Sequence, residues 1–294
     1  MSLRVVIFRK AICTAWDAYD ALADGINACG DICLYSDKEW EPCDVAVHPS
    51  GPGPKKGKYG LARERLIREK PDRRIILESP LFREGAKTGA ADDRYYRLSW
   101  NGFMRDDGLY GEPEDAPPDR WDQIQEEQGI EYWPWNLSNT TGPVLLCLQK
   151  ESDASLRGLN VGDWARETVA EIKKRTSRPI LVRPHPLCPT KHKIDGVLWS
   201  HRTLKADLHK CSAMVTYSSL SAIESVCHGV HTFTLDPGNH AWECANHSLD
   251  QLNEPTMCFV REPWLCKLAY RQWKLSEIRQ GLPWRQLRKV FYED

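Results

Sequence analysis

Apolar residues in this chain fall into short runs of four or five, separated by stretches with helical spacing, and the alternation occurs twice. In the first half the runs at 4–8 (RVVIF), 31–35, 44–48 (DVAVH) and 73–78 (RRIILE) predict strands, with helices expected at 16–29 and 61–69. The third run passes into SGPGPKKGKYG, whose glycines and prolines forbid regular structure. Strand and helix taking turns argues for a parallel sheet covered on both faces. Between 82 and 135 the pattern loosens, and WPWNLSNTTGP reads as a linker, so a boundary is expected at 136–142.

The second half restarts with an apolar strand at 144–148 and a helix at 164–174, with Trp164, Thr168 and Ile172 on one face and Asp163 as its N-cap. Further strands are expected at 179–183, 214–217 and 231–235, with a helix at 220–228. The tail carries Leu265, Leu268, Ala269, Trp273 and Ile278 at spacings that suit amphipathic helices. The expected architecture is α/β, with two Rossmann-like domains facing a cleft: 1–140, and 141–294 with closing C-terminal helices. In open α/β sheets ligands bind beyond the carboxyl ends of strands, so the informative residues are those just after each strand.

Composition narrows the class. With 294 residues, 41% of them hydrophobic and 28% charged, the chain can build two ordinary cores and is not disordered. The N-terminus, MSLRVVIFRK, has only a short apolar run, and no stretch reaches the 18 or so apolar residues of a bilayer span, so a cytoplasmic protein without membrane partner is expected. The eleven cysteines include no CxxC pair and read as reduced thiols; Cys29 and Cys33 have a weak metal spacing with no second pair behind them, and no metal is expected.

Charge is unevenly distributed. Residues 55–74 hold nine basic and three acidic side chains, a local +6, whereas residues 105–131 hold ten acids against Arg105 and Arg120. Lys55, Lys56, Lys58 and Arg63 are the candidate contacts to a polyanionic acceptor, against the ordinary alternative of a solvated face.

Three segments after strands carry the candidate chemistry. Gln149 to Ser155 (QKESDAS) brings two carboxylates, Glu151 and Asp153, to the presumed cleft, where one can deprotonate an acceptor hydroxyl; Asp153 is preferred, and capping of a short helix is its alternative role. Arg183-Pro184-His185-Pro186 presents an arginine and an imidazole from a stiffened elbow, a pairing that suits phosphate oxygens, although a lone histidine is often structural. Ser218-Ser219-Leu220-Ser221-Ala222-Ile223-Glu224 reads as a hydroxyl-rich turn entering a helix, where backbone N–H groups can hold an anion and Glu224 a ribose; it reads equally as a plain N-cap.

These three segments, in this order, resemble the pattern of the capsule-type β-Kdo glycosyltransferases: a Gln-x-x-x-Asp segment, a His-Pro elbow and a Ser-rich helix entry. The resemblance implies a GT-B fold, Asp153 as base, and His185, Ser218, Ser219 and Glu224 around the donor nucleotide; Gln149 and Arg183, at the ends of their strands, are the further donor-binding candidates, with 141–294 as the nucleotide-sugar-binding domain and 1–140 on the acceptor side. The segments 77–83 and 100–108 are more weakly similar to that family's Glu-Asp-Gly-Phe-Leu-Arg stretch, with Ser79 and Pro80 where its Asp and Gly stand. The tail, Leu268 to Trp273 with Glu277, Ile278 and Gly281 to Trp284, is similar to the ends of bacteriophage-encoded glycosyltransferases, for which 5-hydroxymethylpyrimidine in double-stranded DNA is a frequent acceptor.

The resulting expectation is an inverting, metal-independent glycosyltransferase using a UDP- or CMP-sugar, acting on hydroxymethylated phage DNA in the host cytoplasm. Two alternatives stand beside it: transfer to a bacterial surface glycan (capsule or lipopolysaccharide), and a non-catalytic nucleic-acid-binding protein on the same scaffold.

Overall fold

The computed structural model describes residues 2–49, 57–82, 94–188 and 192–292. Packing of the backbone divides the chain into two units, residues 1–129 with 265–294, and residues 130–264. No helix among the described residues is long and apolar enough to cross a membrane.

In the first unit, β1 (Arg4–Phe8), β2 (Ile32–Ser36), β3 (Val45–Pro49) and β4 (Arg74–Glu78) form a parallel sheet, extended by β5 (Tyr95–Trp100) and β11 (Gln272–Lys274) in antiparallel pairing. The order is β11-β5-β4-β3-β1-β2. Successive residues of β1 face opposite layers: Val5 and Ile7 pack with Tyr19, Leu22 and Ile26 of α1 (Trp16–Ala28), while Val6 and Phe8 pack with Leu66 of α2 (Lys58–Glu69). That double covering is why the strand reads as an unbroken apolar run. Helix α2 begins one turn earlier than its apolar pattern, so Lys58 is helical.

The stretch that looked irregular contains β5 and α3 (Asp119–Gln128). Both were hidden by buried polar residues: Arg97 and Ser99 interrupt the β5 run, and Arg120 and Gln128 lie inside with Trp121 and Ile124 in α3. Arg120 is held by both oxygens of Glu277, at 2.8 and 3.2 Å, and by the Gln272 carbonyl, and its guanidinium lies 3.9 Å over the Trp273 ring.

Such contacts assign the tail. Expected to close the second domain, residues 265–294 instead belong to the first, and the first boundary falls after Gly129 rather than at 136–142. The tail comprises the end of α7 (Glu262–Ala269), then β11, α8 (Leu275–Arg279) and α9 (Leu282–Arg288). Ile278, Trp284 and Leu287 enter the first core, and the Trp284 indole and the Leu3 amide each donate at 2.8 Å to the buried Asp31 carboxylate. Gly25 of α1 permits this docking, since a Cβ there would sit 2.1 Å from the Ile278 carbonyl oxygen.

The second unit is a five-stranded parallel sheet of order β10-β9-β6-β7-β8, from β6 (Val144–Cys147), β7 (Ile180–Arg183), β8 (Leu198–Trp199), β9 (Ala213–Thr216) and β10 (His231–Thr234). Its helices are α4 (Val161–Arg175), α5 (Leu204–Leu208) and α6 (Ser221–Cys227). Helix α4 buries Trp164, Ala165, Thr168, Val169 and Ile172, the face its spacing predicts. Its cap is Asn160, whose side chain accepts from the Asp163 amide at 3.0 Å; Asp163, expected as the cap, stands in the first turn, where its charge suits the helix dipole.

Candidate active site

Strands β9, β6 and β7 are neighbours in the second sheet and end level, Thr216 and Arg183 both standing opposite Cys147. The three segments singled out by sequence therefore leave the sheet side by side at its carboxyl edge. Gln149 joins two of them. Its buried carboxamide donates to the hydroxyls of Ser155 and Ser218, each at 3.0 Å, and accepts from the Ser218 amide at 2.8 Å. Ser218 donates in turn to the Ser155 carbonyl at 3.0 Å. Both side chains, expected to touch a donor, are engaged in bracing the loops that follow β6 and β9.

Asp153 is half-buried and caps the 3-10 turn Ala154–Leu156, one carboxylate oxygen accepting from the Ser155 amide at 3.0 Å. The capping role weighed for it is thus present, and it fixes the carboxylate while leaving the second oxygen without a partner among the described residues. Glu151 is exposed, with His192 Nε2 at 3.6 Å.

After β7, the half-buried His185 ring accepts at Nδ1 from the Leu187 amide at 3.1 Å, so the neutral ring carries its proton on Nε2 as a donor. Its carbonyl accepts from the Cys188 amide at 2.9 Å, closing the elbow. Arg183, read as a phosphate ligand, points Nη1 at Asp207 Oδ2, 3.1 Å away, and at the Arg202 carbonyl; Asp207 is wholly buried, so this pair anchors β7 to α5.

The serine-rich turn differs from a free helix entry. The amides of Ser221, Ala222 and Ile223, expected to face an anion, bond to the Ser219 hydroxyl, the Ser219 carbonyl and the Leu220 carbonyl. The turn starts with Leu220 already helical in backbone angles, so these tight bonds close within it. The amides of Ser219 and Leu220 have no hydrogen-bond partner among the described residues. Glu224 lies within the first turns of α6, half-buried.

A fourth segment at this edge was passed over in the sequence. Beyond β10, which pairs with β9, Asp236 accepts from the Gly238 amide at 2.6 Å, and the fully buried Asn239 donates to the Ser219 carbonyl at 3.1 Å. The signal that would have found it is Asp-Pro-Gly directly after an apolar strand.

In the first unit, the basic segment 55–74 is not one positive face. Lys55 and Lys56 lie outside the described residues. Lys58 is exposed, its ammonium 4.9 Å from the Tyr59 ring centroid. Arg63 donates to the Ala11 carbonyl at 2.9 Å, Arg65 pairs with Glu39, Arg73 lies 3.8 Å over Phe291, and Arg74 is buried. The acidic stretch is answered likewise, Glu112 by Arg271 and Glu127 by Lys274, each at 2.5 Å. All eleven cysteines are free thiols.

No protein-family model and no curated protein matches this sequence. Among solved structures the chain is similar to two transferases named KpsC from Thermosulfurimonas dismutans. The β-Kdo 2,4 transferase is 15% identical, covering 91% of this chain and 90% of that one at a TM-score of 0.52. The β-Kdo 2,7 transferase is 12% identical, covering 95% and 98% at 0.51. The fold is of the GT-B kind. Two Rossmann-like sheets in one chain, as the sequence pattern implied, are what this likeness shows.

Proposed function

We propose that the chain is a glycosyltransferase that binds a nucleotide sugar at the carboxyl edge of the second sheet and transfers the sugar to a hydroxyl acceptor. The observation that carries this reading is that the segments bearing Asp153, His185 and the Ser218–Ser219 turn leave the level ends of three adjacent strands, with Gln149 bracing the first of them to the last. In the proposed reaction Asp153 takes the acceptor hydroxyl proton on its uncapped oxygen. The acceptor oxygen attacks the anomeric carbon, and the bond from that carbon to the phosphate oxygen breaks, its electron pair leaving with the nucleotide. A single displacement of this kind inverts the anomeric centre. His185 Nε2–H and the amides of Ser219 and Leu220 meet the charge growing on the leaving phosphate, which is the work of a pre-organised anion site. These donors give the protein a way to stabilise a UDP or CMP leaving group without a metal ion. Glu224 is assigned to a ribose hydroxyl.

For the acceptor, the likeness to β-Kdo transferases favours a surface glycan over DNA. The DNA reading leaned on a +6 segment, and the internal pairing of Arg63, Arg65, Arg73 and Arg74 removes much of its support. Thermal denaturation with a panel of UDP- and CMP-sugars tests the donor assignment: a ligand bound only by the folded state raises the midpoint by mass action. A shift with one nucleotide class, lost in His185→Ala, is expected. No shift with any donor would overturn it.

A further inference from the structure

We propose that Glu131, His209 and His228 form a binding site for one divalent transition-metal ion, Zn2+ being the best match to the donor set. One carboxylate oxygen and one ring nitrogen from each histidine lie within 4.8 Å of one another. The His228 Nδ1 to Glu131 Oε2 distance is 3.9 Å, and the two imidazoles meet edge to face with centroids 5.6 Å apart. Two histidines and a glutamate are an established zinc ligand set, with metal–ligand bonds of about 2.1 Å that place neighbouring ligands about 3.4 Å apart. A contraction of about an ångström therefore closes the site, and His209, at the exposed end of α5, has the freedom to supply it.

The surroundings suit a metal-bound carboxylate. The Trp133 indole donates to Glu131 Oε2 at 3.1 Å and the Lys205 ammonium donates to Oε1, so both oxygens are oriented by outer groups. His228 is buried and fixed at the end of α6, where its amide bonds to the Glu224 carbonyl at 2.9 Å, while the Trp133 ring edges against His209 at 5.7 Å. Imidazole and carboxylate together, without thiolate, select Zn2+ and its neighbours over Mg2+ or Ca2+. Three protein ligands leave a fourth position for water.

The site is separate from the donor edge. His209 precedes β9 and His228 precedes β10, so the ligands gather at the amino edge of the second sheet, opposite the Gln149 and Ser218 brace. An ion there joins the ends of α5 and α6 to the segment that enters the second unit, and its effect is on the stability of that unit rather than on sugar transfer.

The test is titration of the full chain, freed of metal by a chelator, with Co2+, whose visible spectrum reports coordination number and thiolate ligation, followed by displacement with Zn2+. One equivalent bound without thiolate character is expected, together with a raised denaturation midpoint in Zn2+. His209→Gln, at an exposed position that leaves the fold intact, should weaken binding by more than the roughly 10–100-fold that an outer-shell change costs. Lys205→Gln keeps a donor on Glu131 and removes a positive charge, so it should tighten binding by about 3-fold or more, as relief of like-charge repulsion does. Wild-type affinity in His209→Gln, a thiolate spectrum, or no bound equivalent would overturn the proposal.

Discussion

The Gln149 side chain accepts a hydrogen bond from the Ser218 amide at 2.8 Å, across 69 residues of sequence. Neither residue reaches toward solvent; each holds the loop that carries the other. Replacing Gln149 with Leu keeps the volume and strands the buried Ser218 amide. The expected loss is about 1–3 kcal/mol, the cost of a buried unpaired polar group. Urea denaturation measures it, and an unchanged midpoint would show that the loops need no brace.

Asp153 has a structural task and a proposed chemical one, and the two separate cleanly. Asparagine caps helix starts as well as aspartate does, so Asp153→Asn should leave stability unchanged. Turnover should fall about 10²-fold or more, as removal of a general base does. Asp153→Ala should lose the same turnover and in addition about 1 kcal/mol of stability. Comparable turnover in Asp153→Asn and wild type would transfer the base role to Glu151.

His48 is fully buried at the end of β3. Burial chiefly, with the nearby Arg74 charge adding to it, pushes its pKa down to about 3, and its Nε2 has no hydrogen-bond partner among the described residues. Its folded pKa is thus below the unfolded value of about 6.5. Between those values the unfolded chain binds a proton that the folded one refuses, so stability is complete above about pH 6.5 and falls toward pH 3. The slope from this group alone approaches about 1.4 kcal/mol per pH unit. Burial lowers His231 in the same direction. His48→Leu should flatten the acid limb of a stability-against-pH curve; an unaltered limb would assign acid lability to other groups.

The sequence made the parallel cores legible because strands covered on both faces must be apolar throughout, as in RVVIF and VLLC. It hid β5, where Arg97 and Ser99 occupy interior positions, and it misassigned the tail, because nothing local to Trp284 says that its partner is Asp31. The strand-end segments were legible by position, whereas the division of Gln149 and Ser218 from Asp153 and His185 is set by hydrogen bonds between residues 69 apart in sequence. Glu131, His209 and His228 stand too far apart in sequence to suggest a cluster.

Gly25 should tolerate no side chain. A Cβ there meets the Ile278 carbonyl oxygen at 2.1 Å and the Gly281 nitrogen at 2.9 Å, and backbone cannot swing aside as a flexible side chain can. Gly25→Ala gains helix propensity of about 1 kcal/mol, yet overpacking typically costs 1–3 kcal/mol and here presses on the helix that seats Trp284. A lowered denaturation midpoint is expected; a raised one would mean that α8 docks less closely.

The acceptor is decided by counting phosphate contacts. If all nine basic residues of 55–74 tracked a duplex, the log–log dependence of affinity on salt would have a slope near about −8, from about −0.9 per phosphate neutralised. Arg63, Arg65, Arg73 and Arg74 are engaged with carbonyl, carboxylate or aromatic partners or buried, and Arg68 lies 3.4 Å from Glu69. Lys58 is exposed, with Lys55 and Lys56 ahead of it in the chain. With Lys70 added to these three lysines, a slope no steeper than about −4 is therefore expected, with Lys58→Gln removing about one unit of it. Binding that shallow is non-specific and does not support extraction of a base from a duplex, which itself costs a few kcal/mol. The companion measurement is sugar transfer, with an oligosaccharide and hydroxymethylated DNA as competing acceptors and unmodified DNA as control. Transfer to the oligosaccharide alone is the expected result. A slope near −8 together with transfer to hydroxymethylated DNA would restore DNA as the acceptor, and it would require the paired arginines to leave their partners on binding.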